Sequence, residues 1–187
     1  LWAHVCRTGL FAPGVLDPHG ARLERIRADH AWISATATSS HNDPVPRNIL
    51  FDGVRLWLID WESACRNHPL VDVAILLDNL APTAGLERTF LQAWLGREPD
   101  AELRARLLPV RALTRLYYAG VLLSASAAAF GSLGETDLTA PTASEFRRSI
   151  GDGRLVPGTP TVKHALGKMY LASFLAGTIP PGLDAAT

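Results

Sequence analysis

The sequence has few cysteines, no net charge and no lysine among residues 1–40, and the first two shortages argue against particular kinds of site and partner. Its 2 cysteines, Cys6 and Cys65, are too few for a disulfide framework, which fits a reducing cytoplasm. Basic and acidic residues number 18 each, so a general nucleic-acid or membrane-surface role is not indicated. No Cys-x-x-Cys pair is present and the 6 histidines are scattered, so nothing suits zinc.

Length and composition indicate one modest globular domain. The chain has 187 residues, of which 48% are hydrophobic and 19% charged, enough for a sizeable core. Residues 116–134 carry no charge, but glycines, serines and tyrosines make this run weakly hydrophobic. We therefore expect a buried core helix there rather than a membrane span.

A β-hairpin is predicted around Asp52-Gly53, a dipeptide typical of a two-residue type I′ turn between apolar strands. With this turn, Phe51 faces Val54 and Asn48 faces Trp57. Because both strands are apolar on both faces, we expect the hairpin to be buried on both sides.

Three oxygen-bearing side chains, those of Asp43, Asn48 and Asp60, are expected to meet at the open end of this hairpin. Nearby carboxylates repel one another unless a positive charge compensates, and a carboxylate at the end of a buried strand needs a cation or donors. Oxygen ligands suit magnesium, which keeps several waters and shares its other positions with substrate phosphates. The alternative is an ordinary hairpin whose loop carboxylates are solvated.

Helical spacing of apolar residues predicts that the rest of the chain is mostly helical. Ala35 to Ser40 is expected to form a short strand, and Ser63 to His68 a loop. Pro109 is expected to break or kink a helix. The predicted helices lie at about 18–34, Asp72 to Leu80, Leu86 to Gly96, Asp100 to Pro109, 110 onward, 144–150 and 161–176.

The same stretch carries an ordered series of motifs. His41-Asn42-Asp43 is followed by Asn48-Ile-Leu-Phe-Asp, then by Ile59-Asp-Trp-Glu, then by Pro69-Leu-Val-Asp-Val-Ala. This series resembles the aminoglycoside phosphotransferase and choline/ethanolamine kinase superfamily over roughly residues 41–80. Its His-Asn-Asp start and Asp-Trp-Glu triplet are more similar to the choline kinase side.

The resemblance implies an α+β, mainly α-helical fold, in which residues 1–187 form the C-terminal lobe of a protein-kinase-like fold with a small catalytic β-hairpin. It implies that Asp43 positions the acceptor hydroxyl and takes its proton. It further implies that Asn48, Asp60 and, as a weaker candidate, Glu62 hold Mg²⁺ on the phosphates of ATP.

Two further residues gain a supporting role from the resemblance, His41 and Asp72, which are expected to brace the catalytic loop. Asp72 also fits a simple helix N-terminal acid.

Arg47 has a phosphate or a neighbouring carboxylate as possible partners, with a solvated loop arginine as the alternative. His30 is expected to be a partly buried helix residue rather than a site residue.

The implied activity is ATP-dependent transfer of the γ-phosphate to a hydroxyl of a small molecule, a choline- or ethanolamine-like one first and an aminoglycoside second. A cationic head group would rest against aromatic faces, and an aminoglycoside would need a cluster of acids. The weak aromatic candidates are Trp61, Tyr117 and Tyr118, with Trp94 expected to be core; the acids are Glu135, Asp137 and Glu145.

The residues before His41 contain neither a Gly-rich hairpin nor a lysine. Kinase N-terminal lobes use both to cover and bind the phosphates. We therefore expect the nucleotide lobe to come from the same gene or from a second chain, and this chain alone to be inactive. The alternative is a non-catalytic remnant or interaction domain that keeps the fold.

Overall fold

The structure, a computed structural model, describes residues 1–28 and 37–177, and these form a mainly helical α+β fold, which confirms the predicted class. The helices are α1 (Trp2–Arg7), α2 (Asp17–Ala28), α3 (Leu70–Leu80), α4 (Ala84–Leu95), α5 (Ala101–Phe130), α6 (Ala143–Gly151) and α7 (Pro160–Ala176). The strands are β1 (Thr38–Ser40), β2 (Ile49–Phe51), β3 (Leu56–Leu58) and β4 (Cys65–Asn67). Short 3₁₀ turns cover Pro46–Asn48 and Trp61–Ser63.

Within the described residues the strands form two antiparallel pairs, β1 with β4 and β2 with β3. The short strand expected over Ala35 to Ser40 is confirmed at Thr38–Ser40, and Ala35 and Thr36 lie outside the described residues. The prediction of a loop over Ser63 to His68 was wrong, because β4 pairs there with β1, Ser40 lying opposite Cys65. A strand whose partner lies far away in sequence leaves no local turn signal.

The hairpin exists, but its predicted register was wrong. Phe51 pairs with Leu56 and Leu50 pairs with Trp57, so residues 52–55 form a four-residue loop. The Asp52 side chain accepts hydrogen bonds from the backbone N–H groups of residues 54 and 55 and from the Trp57 indole. These hydrogen bonds lower the pKa of Asp52, and the largest contribution comes from the N–H of residue 55. A type I′ turn needs positive φ at both central residues, and here only Gly53 has it, at 95°.

The expectation that the hairpin is buried on both sides was also wrong. Phe51 is 66% exposed and Leu56 is 70% exposed, and Asp60 is exposed rather than at the end of a buried strand. The apolar residues that alternate along β2 and β3 therefore form an open apolar surface, which we call the hairpin surface. Its members are Leu50, Phe51, Val54, Leu56, Trp57, Leu58 and Ile59.

The chain divides into two compact units. The hairpin unit is Asp29–Thr114, as far as it is described, and contains all four described strands. Its core joins residues of α3, α4 and the first part of α5. The buried members are Leu70, Val73, Ala74, Leu77, Ala81, Leu91, Leu107 and Val110.

The helical unit comprises Leu1–Ala28 and Arg115–Thr187, as far as they are described. Its main core cluster contains Ala143, Phe146, Val162, Leu166 and Met169. Helices α5 and α7 pack closely at Gly167, where a Cβ atom would lie only 2.6 Å from Leu123 Cγ. The uncharged run is indeed part of a core helix, since Ala119, Leu123 and Ser126 are fully buried. None of the helices in the described ranges has the length and apolar character to cross a membrane.

Most predicted helices are confirmed, including those near 144–150 and 161–176, but three details differ. Helix α5 continues through Pro109, so the helix does not break there, and burial of the neighbouring Leu107 and Val110 offsets one missing backbone hydrogen bond. Trp94 is 45% exposed and not core, since the buried side of α4 centres on Leu91. Helix α2 is described as far as Ala28; the rest of that predicted helix, with His30, lies outside the described residues.

Candidate active site

Asp72, in the first turn of α3, binds the backbone of the loop that carries Asp43. The two carboxylate oxygens of Asp72 accept the backbone N–H groups of His41 and Asn42, each at 2.7 Å. Hydrogen bonds to an ionised acceptor are about twice as strong as neutral ones. Asp72 therefore fixes the loop backbone immediately before Asp43.

His41 connects the same loop to the end of the hairpin. Its ring is 2% exposed, its Nδ1 accepts the Asp43 backbone N–H at 3.2 Å, and its Nε2 lies 2.8 Å from the Ile59 carbonyl oxygen. Because Nδ1 is an acceptor, Nε2 carries the hydrogen and donates it to Ile59. The Trp61 ring packs against the imidazole with centroids 4.7 Å apart. One buried histidine thus sets the spacing between Asp43 and the residue after Ile59.

The Asp43 carboxylate faces two donors from the following turn. Asn48 Nδ2 donates to Asp43 Oδ2 at 3.1 Å and to its carbonyl oxygen at 2.9 Å, and Arg47 Nη2 donates to the same Oδ2 at 3.2 Å. The Asn48 side chain is buried. Ile59 N–H donates to the Asn48 carbonyl at 2.9 Å, so Asp60 follows directly at the same end of the hairpin. The structure thus gathers Asp43, Asn48 and Asp60.

Two backbone conformations at this site are unusual. Asn42 (φ 65°) and Asp60 (φ 62°) are the non-glycine residues with positive φ in the described part of the chain. Such residues cost of order 1–3 kcal/mol each and cluster at functional sites. Asn and Asp tolerate this conformation better than other residues with a Cβ. The strain therefore lies in the segments that bear Asp43 and Asp60.

Sequence reasoning missed the role of Asn42. Its Nδ2 donates to the carbonyls of Ser40 and Ser63, at 3.2 and 3.0 Å, and its Oδ1 accepts from Asn67 Nδ2 at 2.7 Å. The asparagine therefore joins β1 to the segment around β4. In the sequence, Asn42 stands out only because protein kinases have an arginine at the matching position. That difference does not indicate which residues Asn42 contacts.

The donor set fits a magnesium ion that relies on substrate and water for part of its shell. Because the Asn48 amide nitrogen is used toward Asp43, its amide oxygen is the atom that can serve as a ligand. Asp60 and Glu62 are exposed, and no described residue hydrogen-bonds or ion-pairs with either carboxylate. No group of three His, Cys, Asp or Glu in the described ranges could hold a metal unaided. Magnesium commonly uses one or two carboxylates plus phosphates and water.

The aromatic candidates fall into different settings. Trp61, in the hairpin unit, is 56% exposed, with its indole N–H donated to the Leu58 carbonyl. Tyr117, in the helical unit, is 54% exposed and meets Tyr118 edge-on, while Tyr118 stacks on Tyr170. Trp61 and Tyr117 therefore each offer an accessible ring face.

The acids considered for an aminoglycoside are held in local contacts of the helical unit. Glu135 binds Lys168 at 2.7 Å and His164 at 2.8 Å; burial alone would raise the pKa of Glu135, but these hydrogen bonds lower it overall. Glu145 closes a capping box with Thr142 at the start of α6. Asp137 accepts from the Thr139 N–H at 2.7 Å. Each acid thus has a structural partner.

The fold and the loop geometry define the C-terminal lobe of a choline kinase-like fold. A model of the phosphotransferase enzyme family (APH) matches residues 8–108, more than half of the chain. The chain therefore belongs to the phosphotransferase enzyme family.

Individual proteins are similar to parts of the chain or to its fold. The chain is similar to a solved choline/ethanolamine kinase family protein from Mesorhizobium loti, at 22% identity and a TM-score of 0.60, over 94% of this chain and 55% of that one. It is also 47% identical to Protein LicA of Haemophilus influenzae over 38 residues, 20% of this chain and 14% of that protein. A second Protein LicA from Haemophilus influenzae matches over 38 residues at 47% identity, 11% of its length. The chain thus spans about half of the solved relative, and the local matches span far less of the curated ones.

Proposed function

We propose that this chain is the C-terminal lobe of an ATP-dependent phosphotransferase that phosphorylates a hydroxyl of a small molecule. The observation that carries the proposal is the hydrogen-bonded pair Asp43–Asn48, 3.1 Å apart, with Asp60 at the adjoining strand end. Phosphoryl transfer depends mainly on positioning and charge stabilisation, which fits a loop braced by Asp72 and His41.

In the proposed reaction, Asp43 orients the acceptor hydroxyl and accepts its proton as the O–H bond breaks. The acceptor oxygen bonds to the γ-phosphorus while the bond from that phosphorus to the bridging oxygen breaks, and the electron pair leaves with ADP. Asn48, Asp60 and Glu62 would hold Mg²⁺, which when bound neutralises and orients phosphate oxygens.

A choline- or ethanolamine-like amino alcohol is the proposed acceptor. The support is the exposed Trp61 ring beside His41, since a cation over an aromatic face gains roughly 0.5 to 2 kcal/mol. An aminoglycoside gains no support from Glu135, Glu145 and Asp137, because each has a structural partner.

The nucleotide-binding lobe is proposed to come from the same gene or from a second chain. The hairpin surface supports this, because contiguous exposed apolar patches mark sites that another protein segment covers. Without that cover, we expect negligible turnover, and ATP affinity no tighter than about millimolar, roughly −4 kcal/mol.

The test is a coupled ADP assay with choline, ethanolamine and kanamycin, run on this chain and on a protein that carries both lobes. We expect turnover of choline or ethanolamine only with both lobes, a loss of at least about a hundredfold in kcat for Asp43→Asn, and no metal-dependent turnover for Asp60→Asn. Glu102→Gln, an exposed helix acid, is the control.

The outcome of that assay separates the alternatives. Turnover of kanamycin alone would replace the amino alcohol with an aminoglycoside. No turnover by the two-lobed protein with any hydroxyl substrate would favour a non-catalytic interaction domain. Near-normal rates in Asp60→Asn would remove the metal assignment.

A further inference from the structure

The residue that the proposed mechanism leaves unused is Arg47, which contacts the proposed base directly. Its Nη2 lies 3.2 Å from Asp43 Oδ2, in the 3₁₀ turn that ends at Asn48. The Arg47 side chain is 52% exposed, whereas that of Asp43 is 20% exposed. A permanently charged, half-exposed guanidinium therefore lies on the solvent side of a largely buried carboxylate.

This contact is weak enough to exchange. An ion pair between partly exposed side chains at a protein surface contributes little to stability, and 3.2 Å exceeds the roughly 2.7–2.9 Å of a strong charge-assisted hydrogen bond. A phosphate group carries more charge than a carboxylate and accepts both arms of a guanidinium. A triphosphate that reaches Asn48 and Asp60 would thus compete well for Arg47.

We propose that Arg47 is a phosphate-binding residue that exchanges its contact with Asp43 for a phosphate of the bound magnesium–triphosphate. This inference rests on the proposed function. Before the triphosphate arrives, the guanidinium offsets the charge of Asp43 and donates to its Oδ2 beside the Asn48 amide. After the exchange, Asp43 Oδ2 can accept the acceptor hydroxyl, so arrival of the phosphate donor prepares the base.

The first experiment measures binding of magnesium tripolyphosphate, which needs no adenine pocket, to the chain by ³¹P NMR at fixed ionic strength. We expect millimolar binding by the wild type and about tenfold weaker binding by Arg47→Gln, about 1.4 kcal/mol. Arg47→Lys should fall between them, because lysine keeps the charge without the two-armed geometry. The control Arg55→Gln removes the same charge from an exposed residue of the hairpin loop and should match the wild type.

The second experiment is a double-mutant cycle with Asp43→Asn. If Asp43 and the phosphate compete for Arg47, Asp43→Asn should tighten tripolyphosphate binding several-fold, and the gain should vanish in Asp43→Asn/Arg47→Gln. Unchanged binding in Arg47→Gln, or a gain that persists in the double variant, would overturn the exchange. Circular dichroism and thermal midpoints establish that each variant is folded.

Asp60→Asn separates failure of this inference from failure of the proposed function. If Asp60→Asn loses tripolyphosphate binding while Arg47→Gln keeps it, the metal–phosphate site stands and the role of Arg47 falls. If the wild type does not bind, or Asp60→Asn binds equally well, the proposed metal–phosphate site fails and the Arg47 inference fails with it.

Discussion

The carboxylate of Asp72 accepts the backbone N–H of His41 at 2.7 Å across 31 residues of sequence. Its other oxygen accepts the N–H of Asn42 at the same distance. One side chain at the start of α3 therefore sets the backbone that leads into Asp43. The geometry of the proposed base depends on a carboxylate whose described contacts are to loop backbone.

Asp72→Asn is expected to lower the free energy of unfolding by about 2 kcal/mol, the scale of hydrogen bonds to a charged acceptor. An amide can accept only one of the two N–H groups and turns its own NH₂ toward the other. Urea denaturation monitored by circular dichroism measures the change. Glu102→Gln, another first-turn acid, is the control and should be near neutral. Equal stabilities for the two variants would contradict the bracing role.

His19 predicts a pH dependence of stability. Burial lowers the pKa of His19 below its ordinary value of 6.5, opposed by a hydrogen bond to the Leu171 backbone. Because the folded pKa is depressed, the unfolded chain takes up a proton that the folded chain resists as pH falls below about 6.5. Stability should therefore be full above pH 6.5 and decline toward the lower folded pKa.

The variant His19→Gln isolates this contribution, because glutamine is neutral throughout. Urea denaturation from about pH 7.5 to 5 should show a shallower decline for His19→Gln than for the wild type. His4→Gln, an exposed histidine of α1, is the control and should keep the wild-type slope. Identical slopes for all three proteins would show that His19 does not titrate as argued.

Arg111 joins three helices of the hairpin unit. Its Nε lies 2.6 Å from Asp78 on α3 and its Nη1 lies 2.7 Å from Glu87 on α4, and its side chain is only 15% exposed. Arg111→Met should destabilise the protein by about 3 kcal/mol, because removing one partner leaves carboxylates poorly solvated and unpaired. Arg88→Gln, from an exposed pair with Glu98, is the control and should have no measurable effect. Thermal and urea unfolding distinguish the two.

The hairpin surface predicts self-association of the isolated chain. Phe51 and Leu56 form a cross-strand pair on one face, and both are largely exposed. Phe51→Gln/Leu56→Gln should reduce association without loss of folding, since little buried contact is removed. Sedimentation velocity over a concentration series gives the measurement. Val156→Gln, an exposed apolar residue of the helical unit, should leave association unchanged. A monomeric wild type would refute this prediction.

Local patterns predicted the elements that depend on nearby residues. The hairpin around Gly53 and the helix from Pro160 to Ala176 follow from turn chemistry and apolar spacing. The hairpin register did not follow, because the side chain of Asp52 stabilises a longer loop through three donors. Whether a two-residue turn or a four-residue loop forms here depends on these side-chain contacts, which the Asp52-Gly53 dipeptide alone does not reveal.

Non-local pairings account for most of what was missed. β4 depends on β1, and Asn42 gains its role from Ser63 and Asn67, which only the folded chain brings near. The exposure of β2 and β3 could not be predicted from their apolar composition. Apolar side chains favour burial, but their composition does not show which other segment would bury them. The hydrogen bonds from Asn48 to Asp43 and from Ile59 to Asn48 bring together the segments that carry Asp43, Asn48 and Asp60, as their order in the sequence predicted, and the roles of these residues stay predictions.

The left-handed backbone at Asp60 sets backbone stability against the proposed magnesium site at a single position. The substitution Asp60→Gly would relieve about 1 kcal/mol of conformational strain, yet it would remove the proposed magnesium ligand. In a protein that carries both lobes, random mutagenesis selected only for thermal tolerance should therefore enrich Asp60→Gly, whereas selection for turnover should retain the carboxylate. The two selections would therefore favour different residues at position 60.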